Sequence, residues 1–244
     1  MKVFYLNCAR RVAKNGKLTQ RGKKLVEIIK DNDIDFVFLS ESSNYDLKND
    51  LSDLYTISKV DEKLALGYGY NILAKKDFDI SFFSFDSEES QKAKYREELH
   101  EDRIALINYG KICFIATHVP HEPKLRVIAL KRLFDLIYDF RPLMFFGDFN
   151  CGYNEDCFSY RDDPVNKKKP FIKEDEIFNL FEVLGYSNIL KNEGIFTYEH
   201  KGKWADKFRI DHAFTNNPGR VKMEYIDMIE YGFNHKGMLI EVDD

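Results

Sequence analysis

The chain alternates short apolar runs with longer segments in which apolar residues recur every three or four positions. A short apolar run is typical of a buried strand, and such runs lie at 2–6, 34–40, 111–117 and 143–146. The longer segments have the period of amphipathic helices, and they lie at 19–33, 124–140 and 174–186. This order predicts an α/β protein with mixed sheets and outer helices, because each sheet must bury its apolar face.

Local signals agree with this division into strands and helices. Thr19 has the side chain of an N-cap residue for the first helix, and Tyr109-Gly110 divides the stretch at 103–117 into a predicted hairpin. Further strands are predicted at 67–76, 80–85, 194–200, 209–216, 221–228 and 237–242. Because no repeat, low-complexity region or flexible linker interrupts the pattern, we expect one domain over residues 1–244.

Polar residues occur at or beside the ends of most apolar runs, or within them. They are carboxylates, amides, imidazoles and one guanidinium, namely Asn7, Glu41, His118, Asp148, Asn150, Arg209, Asp211, His212 and His235. Each by itself has an ordinary explanation as a turn or surface residue. Their repeated occurrence indicates instead that several strand ends converge on one polar site.

Such a site would offer carboxylate and amide oxygens and two imidazoles, without thiolates. Hard oxygen ligands of this kind favour Mg²⁺ or Mn²⁺ over zinc. A metal held by one or two carboxylates keeps water ligands and leaves room for a phosphate oxygen. The pattern therefore predicts hydrolysis of a phosphoester.

The charge distribution limits where a polyanionic substrate could bind. The formal net charge is -4, with 32% charged residues of both signs, so the surface is not generally basic. Residues 10–24 nevertheless contain basic side chains and no acid, among them Arg10, Arg11 and Lys14. We expect this segment to contact the phosphates of DNA or RNA, and we expect a second basic stretch at 167–169 to be a solvent-exposed loop.

Other sequence features concern location and association. The four cysteines lack zinc or redox spacing, and Cys113 lies in an apolar run as a buried thiol would. The N-terminal residues lack the apolar stretch of a signal peptide, and no apolar stretch approaches the ~20 residues of a membrane-spanning helix. We therefore expect a cytoplasmic, soluble monomer without membrane insertion.

Taken in order, the motifs resemble those of the endonuclease/exonuclease/phosphatase superfamily, which has the DNase I-like fold. The resemblance runs from about residue 2 to 242 and rests on Asn7, "FLSES", "GYGYNILAK", "RIALINYGKICFIATHVP", "GDFN", "RIDHAF" and a final histidine before a strand. It implies a four-layer α/β/β/α sandwich, with two mixed sheets flanked by helices.

The resemblance also implies roles for the oxygen-bearing residues. Glu41 would be the main metal ligand, aided by Asn7. Asp148 would orient or deprotonate the attacking water. Asn150 would hold the phosphate.

The imidazoles and one arginine have implied roles as well. His118 would donate to a phosphate oxygen, and His235 would be the second catalytic imidazole, oriented by Asp211. Arg103 could contact phosphate at the start of its strand, and an ordinary surface arginine explains that position equally well.

Two positions depart from the motifs of the superfamily. Ala9 replaces the second polar residue that commonly follows the first strand, and Asn234 replaces the aspartate that commonly precedes the last histidine. Asn234 can still supply an oxygen ligand, but without a negative charge. We expect weaker metal binding, or a change in the number and place of the metal ions.

The favoured function is that of a metal-dependent nuclease, an endonuclease acting on DNA or RNA, in which Tyr153, Tyr160 and Phe171 could stack on bases. A second candidate is a phosphatase or phospholipase acting on a phosphoinositide, sphingomyelin or a small phosphate ester, although no amphipathic membrane-binding helix stands out. A third, of another class, is a catalytically weakened module that binds nucleic acid or a protein.

Overall fold

The computed structural model of the protein describes residues 1–42, 45–60, 70–75, 78–83, 104–159, 174–191, 193–199 and 207–243. The chain divides into two compact units. Unit 1 is Met1–Phe78 with Gly219–Asp244, and unit 2 is Asp79–Pro218. The expectation of a single domain stays a prediction.

The described residues contain short strands and a few helices. In chain order the strands are β1 (Lys2–Asn7), β2 (Ala13–Lys14), β3 (Lys17–Leu18), β4 (Phe36–Ser40), β5 (Ile57–Val60), β6 (Asn71–Ala74), β7 (Asp79–Phe83), β8 (Ile104–Tyr109), β9 (Ile112–His118), β10 (Met144–Asp148), β11 (Cys157–Ser159), β12 (Ser187–Asn188), β13 (Tyr198–Glu199), β14 (Lys207–Phe208), β15 (Asp211–Thr215), β16 (Val221–Ile226) and β17 (Gly237–Val242). The helices are α1 (Gln20–Asp31), α2 (Lys48–Leu51), α3 (Pro123–Phe140) and α4 (Asp175–Val183), with a 3-10 turn at Asn154–Asp156.

Unit 1 is built on a six-stranded mixed sheet in the order β16-β17-β1-β4-β6-β5. Among the described strands of this sheet, only β1 and β4 are parallel, and α1 provides the crossover that parallel neighbours need. Thr19 caps α1 as predicted, since its side chain accepts a hydrogen bond from Gly22 N at 3.0 Å. The helix packs its apolar side, including Leu25 and Ile29, into a core shared with Phe4 and Leu39 of the sheet.

Unit 2 repeats this plan with a six-stranded sheet in the order β12-β15-β10-β9-β8-β7. Here β9 and β10 are the parallel pair, connected by α3. One face of the sheet is covered by α3 and α4, and Phe145 stacks on Phe214 with ring centroids 4.8 Å apart. Phe178 and Phe181 of α4 complete this aromatic core.

The predicted fold class is confirmed by these two large mixed sheets with helices. The predicted hairpin is present as β8 and β9, although Arg103 lies outside the described residues. The predicted strand at 194–200 is wrong in extent, because among its described residues, 194–199, only Tyr198–Glu199 pair with another strand. The hairpin of β2 and β3 and the short strands β11 and β12 were not predicted, since elements of two or three residues leave no hydrophobic period.

Among the described residues, no helix is both long enough and apolar enough to cross a membrane.

Candidate active site

In unit 1, the parallel pairing of β1 and β4 brings two predicted metal ligands together. Asn7 lies opposite Ser40, the last residue of β4, and Glu41 follows at once. Asn7 Nδ2 donates to Glu41 Oε1 at 3.4 Å. Because parallel strands end at the same side of a sheet, the amide and the carboxylate share that end.

The chain beyond these two strand ends is held in a fixed conformation. Cys8 N donates to Ser40 O at 2.8 Å, and Arg10 N donates to Glu41 O at 2.7 Å. Ala9 and Glu41 have φ angles of 43° and 48°, which non-glycine residues seldom adopt. Left-handed backbone of this kind is concentrated at functional sites, where surrounding contacts hold it in place.

The segment before β17 reaches the same end of the unit 1 sheet. In the antiparallel pairing of β17 with β1, Met238 lies opposite Tyr5, so the residues before β17 lie near the end of β1. His235 there is buried, with 4% of its surface exposed. Within the described residues, Asn234 Oδ1 is buried and accepts no hydrogen bond.

In unit 2, three predicted site residues lie side by side on neighbouring strands. Asp148 ends β10 and lies opposite His118 of β9 on one side and Asp211 of β15 on the other. Paired residues of adjacent strands point to the same face of a sheet. His118 Nε2 lies 3.9 Å from Asp148 Oδ2. All three side chains are buried, which strengthens the electrostatic interactions among them.

Gly147 allows the strand that carries Asp148 to approach its neighbour. Its φ angle is 149°, and a Cβ atom at this position would overlap the carbonyl oxygen of Thr117 on β9. Only glycine fits such a close backbone approach. The glycine of "GDFN" is therefore a packing requirement for the site.

Asn150 is fixed by its own loop. Its backbone N donates to Asp148 Oδ1 at 2.7 Å, and its Nδ2 donates to Val119 O at 2.8 Å. The first bond fixes the orientation of the Asp148 carboxylate. The second leaves one N–H of the amide for another acceptor.

Two positioning residues of unit 2 were missed by the sequence analysis. Arg126 is 1% exposed, and its Nη1 donates to Asn150 O at 2.9 Å and to His121 O at 3.0 Å. An arginine on the apolar side of α3 was the signal that could have found it. Buried Thr197 accepts hydrogen bonds from the backbone N of Ile210 and of Asp211, both at 3.1 Å, and nothing in the sequence indicates this role.

Arg209 is one of the polar residues that the sequence analysis expected at the site, but its contacts indicate a structural role. It is 1% exposed and forms an ion pair with Asp156 at 2.5 Å. Its guanidinium also donates to Leu190 O and Lys191 O, both at 2.6 Å. Arg209 therefore joins the loop before β15 to the segment after β12.

His212 is likewise a core residue. Its ring lies within hydrogen-bonding distance of Asn188 Nδ2 and Cys151 O, at 3.2 Å and 3.1 Å. Burial, followed by the nearby charge of Arg209, lowers the pKa of His212 from 6.5 to about 3. The imidazole is therefore neutral at physiological pH.

The described free cysteines are poorly reactive. Burial, with a smaller contribution from the charge of Glu41, raises the pKa of the Cys8 thiol. Burial also raises the pKa of Cys151, and it raises that of the half-buried Cys113 to about 11. These three cysteines are free thiols, and they are protonated at physiological pH, which makes them poor nucleophiles.

The basic residues of the first segment have different surroundings. Arg10 and Lys14 are exposed, whereas Arg11 is half-buried and its Nη1 donates to Gly232 O at 2.6 Å. Lys14 and Lys17 flank the turn of the hairpin formed by β2 and β3. Arg103, the stretch at 167–169, Tyr160 and Phe171 lie outside the described residues.

The expectation that Tyr153 could stack on a base is wrong. Its side chain is 2% exposed and packs on Phe178 and His212. Its hydroxyl donates to Glu182 Oε1 at 3.0 Å. The Tyr153 ring is therefore part of the apolar core of unit 2.

Comparison with solved structures identifies the fold. An AP endonuclease from Archaeoglobus fulgidus matches with a TM-score of 0.73 at 19% identity, over 100% of both chains. The 3' phosphatase NExo from Neisseria, bound to a product DNA hairpin, matches with a TM-score of 0.69 at 15% identity, also over 100% of both chains. Truncated TDP2 from Caenorhabditis elegans matches with a TM-score of 0.62 at 18% identity, over 100% of this chain and 97% of that chain. The chain has the DNase I-like fold.

This DNase I-like fold is the one implied by the resemblance to the endonuclease/exonuclease/phosphatase superfamily. No protein-family model matches the chain, and a search of curated proteins finds no match. The identities to the solved structures are below 20%, so the fold is recognisable in three dimensions and in a few short motifs. Within it, each unit carries predicted site residues at the ends of its central strands.

Proposed function

We propose that the protein is a divalent-metal-dependent phosphodiester hydrolase, a nuclease acting on DNA. The observation that carries this proposal is the row of His118, Asp148 and Asp211 on three neighbouring strands of a DNase I-like fold. Structures with this fold include an AP endonuclease, NExo bound to a product DNA hairpin, and Danio rerio TDP2 complexed with a single-stranded DNA product. These are proteins that act on DNA or bind it.

We assign the metal-binding role to unit 1. Glu41 supplies a carboxylate, Asn7 an amide, and Asn234 a buried oxygen that accepts no hydrogen bond among the described residues. Such hard oxygen donors fit Mg²⁺ or Mn²⁺. A divalent ion bound there would polarise a phosphoryl oxygen and neutralise the charge that develops during hydrolysis.

We assign the handling of water and protons to unit 2 together with His235. Asp148 is held by the backbone N of Asn150, and its carboxylate is suited to orient the attacking water and take its proton. His118 would donate to a non-bridging phosphate oxygen. His235 would act as the second imidazole and transfer a proton.

We assign contacts with the DNA backbone to the basic segment of unit 1. Arg10, Lys14 and Lys17 are exposed and follow β1, whose last residue is Asn7. Contacts with phosphate groups position a polynucleotide without reading its sequence. Arg11 also has a structural role, because its guanidinium donates to Gly232 O.

A panel of phosphoesters tests the proposal. The full chain is incubated with Mg²⁺ or Mn²⁺, and with EDTA as the control, on an abasic DNA duplex, a DNA hairpin with a 3' phosphate, single-stranded DNA, supercoiled plasmid and RNA. We expect hydrolysis of at least one DNA substrate that stops when EDTA removes the metal. Asp148→Asn is expected to abolish it, whereas Asp243→Asn, which changes an exposed acid, is the matched control.

The same panel separates the alternative functions. Phosphoinositides, sphingomyelin and a small aryl phosphate are included as further substrates. Hydrolysis of these compounds, with every nucleic acid left intact, would establish the phosphatase or phospholipase alternative. Hydrolysis of none, with retained binding of DNA, would establish a binding module in which Ala9 and Asn234 have weakened catalysis.

A further inference from the structure

Asn71 is a buried amide in unit 1 with no role in the site described above. It begins β6, where it lies opposite Leu39 of β4, and its exposed fraction is 0%. A buried amide is tolerated only where its donors and acceptor are hydrogen-bonded. The hydrogen-bond partners of the Asn71 side chain therefore indicate its role.

Three hydrogen bonds join the Asn71 side chain to one segment of the chain. Its Nδ2 donates to Ser42 Oγ at 2.7 Å and to Tyr45 O at 2.9 Å, and its Oδ1 accepts from Leu47 N at 3.0 Å. Both N–H donors of the amide are thus used on this segment, residues 42–47. Residues 43 and 44 lie outside the described part of the chain.

This segment begins directly after Glu41. The Glu41 backbone is in the left-handed region at a φ of 48°, and its carbonyl accepts from Arg10 N at 2.7 Å. Leu47, at the far end of the segment, is buried in the unit 1 core. Glu41 therefore lies between the end of β4 and a segment that is hydrogen-bonded to the Asn71 side chain.

We propose that Asn71 is a positioning residue that holds Glu41 in the orientation needed to bind a divalent cation. The inference rests on the proposed function, in which Glu41 is the main metal ligand. Asn71 acts through Ser42 and the backbone at Tyr45 and Leu47. Only an amide supplies two donors and one acceptor from so short a side chain.

Binding of Mn²⁺ to the full-length chain tests the inference without relying on catalysis. Mn²⁺ is titrated into the protein and its binding is followed by the relaxation of water protons. Asn71→Leu keeps the volume of the side chain and removes every hydrogen bond to the segment, whereas Ser42→Ala removes one of them. Met223→Ala, on the edge strand β16, is the control for a general loss of stability.

We expect Asn71→Leu to weaken Mn²⁺ binding about ten-fold or more, the usual effect of removing a group that orients a metal ligand. Ser42→Ala should weaken it by a smaller factor, on the order of two- to five-fold. Met223→Ala should lower the thermal unfolding midpoint and leave Mn²⁺ binding within about two-fold of the unmodified protein.

Each result decides the inference. Unchanged Mn²⁺ binding in folded Asn71→Leu overturns it, and if that variant does not fold, unchanged binding in Ser42→Ala overturns it. Failure of the unmodified protein to bind Mn²⁺ also overturns it, because Glu41 is then no metal ligand. If the protein binds Mn²⁺ but hydrolyses no phosphoester, the proposed function fails, while the comparison of variants still decides the role of Asn71.

Discussion

At the scale of single residues, three buried histidines of the described part of the chain have different surroundings. His212 lies in an aromatic core with its pKa lowered to about 3, and it remains neutral. His118 and His235 lie at strand ends beside predicted catalytic positions. The residue type is the same at the three positions, and only the neighbouring side chains distinguish them.

The role of His235 is tested by its removal. If it transfers a proton during hydrolysis, His235→Ala should lower kcat by about 10²- to 10⁴-fold, the usual contribution of a general acid or base. His121→Ala, which changes an exposed histidine, is the matched control and should leave kcat unchanged. A folded His235→Ala variant with full activity would contradict the assignment.

The pKa of His212 predicts how stability depends on pH. The unfolded chain binds a proton at His212 below pH 6.5, whereas the folded chain binds one only near pH 3. The contribution of His212 to the free energy of unfolding should therefore fall as the pH decreases from 6.5 towards 3, by at most about 1.4 kcal/mol per pH unit. Denaturant titrations at several pH values measure this slope.

The matched variant for this measurement is His212→Gln. It cannot take up the proton, so the fall in the free energy of unfolding at low pH should be shallower than in the unmodified protein. Burial raises the pKa of neighbouring Asp156 to about 6, which adds stability as the pH falls and opposes the histidine. An equal slope in both proteins would show that His212 is not the cause.

At the scale of elements, two strand–helix–strand arrangements carry the predicted site residues. In unit 1, β1, α1 and β4 form a strand–helix–strand unit, and in unit 2, β9, α3 and β10 form another. The polar residues follow the carboxyl ends of these parallel pairs. Buried apolar strands make a rigid support, and the loops beyond them are free to carry chemistry.

The hairpin of β2 and β3 carries a prediction at this scale. Lys14 and Lys17 flank its turn and are exposed, so replacing both with Glu should weaken binding of DNA. Each lost phosphate contact should also reduce the slope of log K against log salt by roughly 0.7 to 0.9. Fluorescence anisotropy of labelled DNA over a range of salt concentrations measures both effects.

The control for this experiment changes the charge equally elsewhere. Lys30 and Lys48 are also exposed in unit 1, and Lys30→Glu with Lys48→Glu gives the same net charge. If both double variants reduce the salt dependence equally, the effect is one of net charge, and the hairpin has no specific contact with DNA.

At the scale of the whole molecule, the proposed function assigns a separate role to each of the two units. Glu41 belongs to unit 1 and Asp148 to unit 2. Because Glu41 is proposed to bind the metal ion and Asp148 to take the proton of the attacking water, Glu41→Gln and Asp148→Asn should each lower kcat/KM by at least about 10²-fold.

Steady-state kinetics of the two variants provide this test. Thermal unfolding of each should remain close to that of the unmodified protein, so that the loss is one of activity. Full activity in either folded variant would contradict the role assigned to that residue.

The sequence by itself determined the elements and the local motifs. Apolar periodicity located the central strands and the three long helices, and the N-cap at Thr19 was predicted and found. The strand ends at Asn7, His118 and Asp148 were also predicted. These features depend on neighbours in the chain, and neighbours are what a sequence pattern records.

Only the tertiary structure decided which polar residues are structural. Arg126, Thr197 and Asn71 hold loops through hydrogen bonds to residues 13 or more positions away, and Tyr153 and Arg209 were drawn into the core. The free energy of a buried polar group depends on the partners that the fold places around it. Those partners are distant in the chain, so no local pattern contains them.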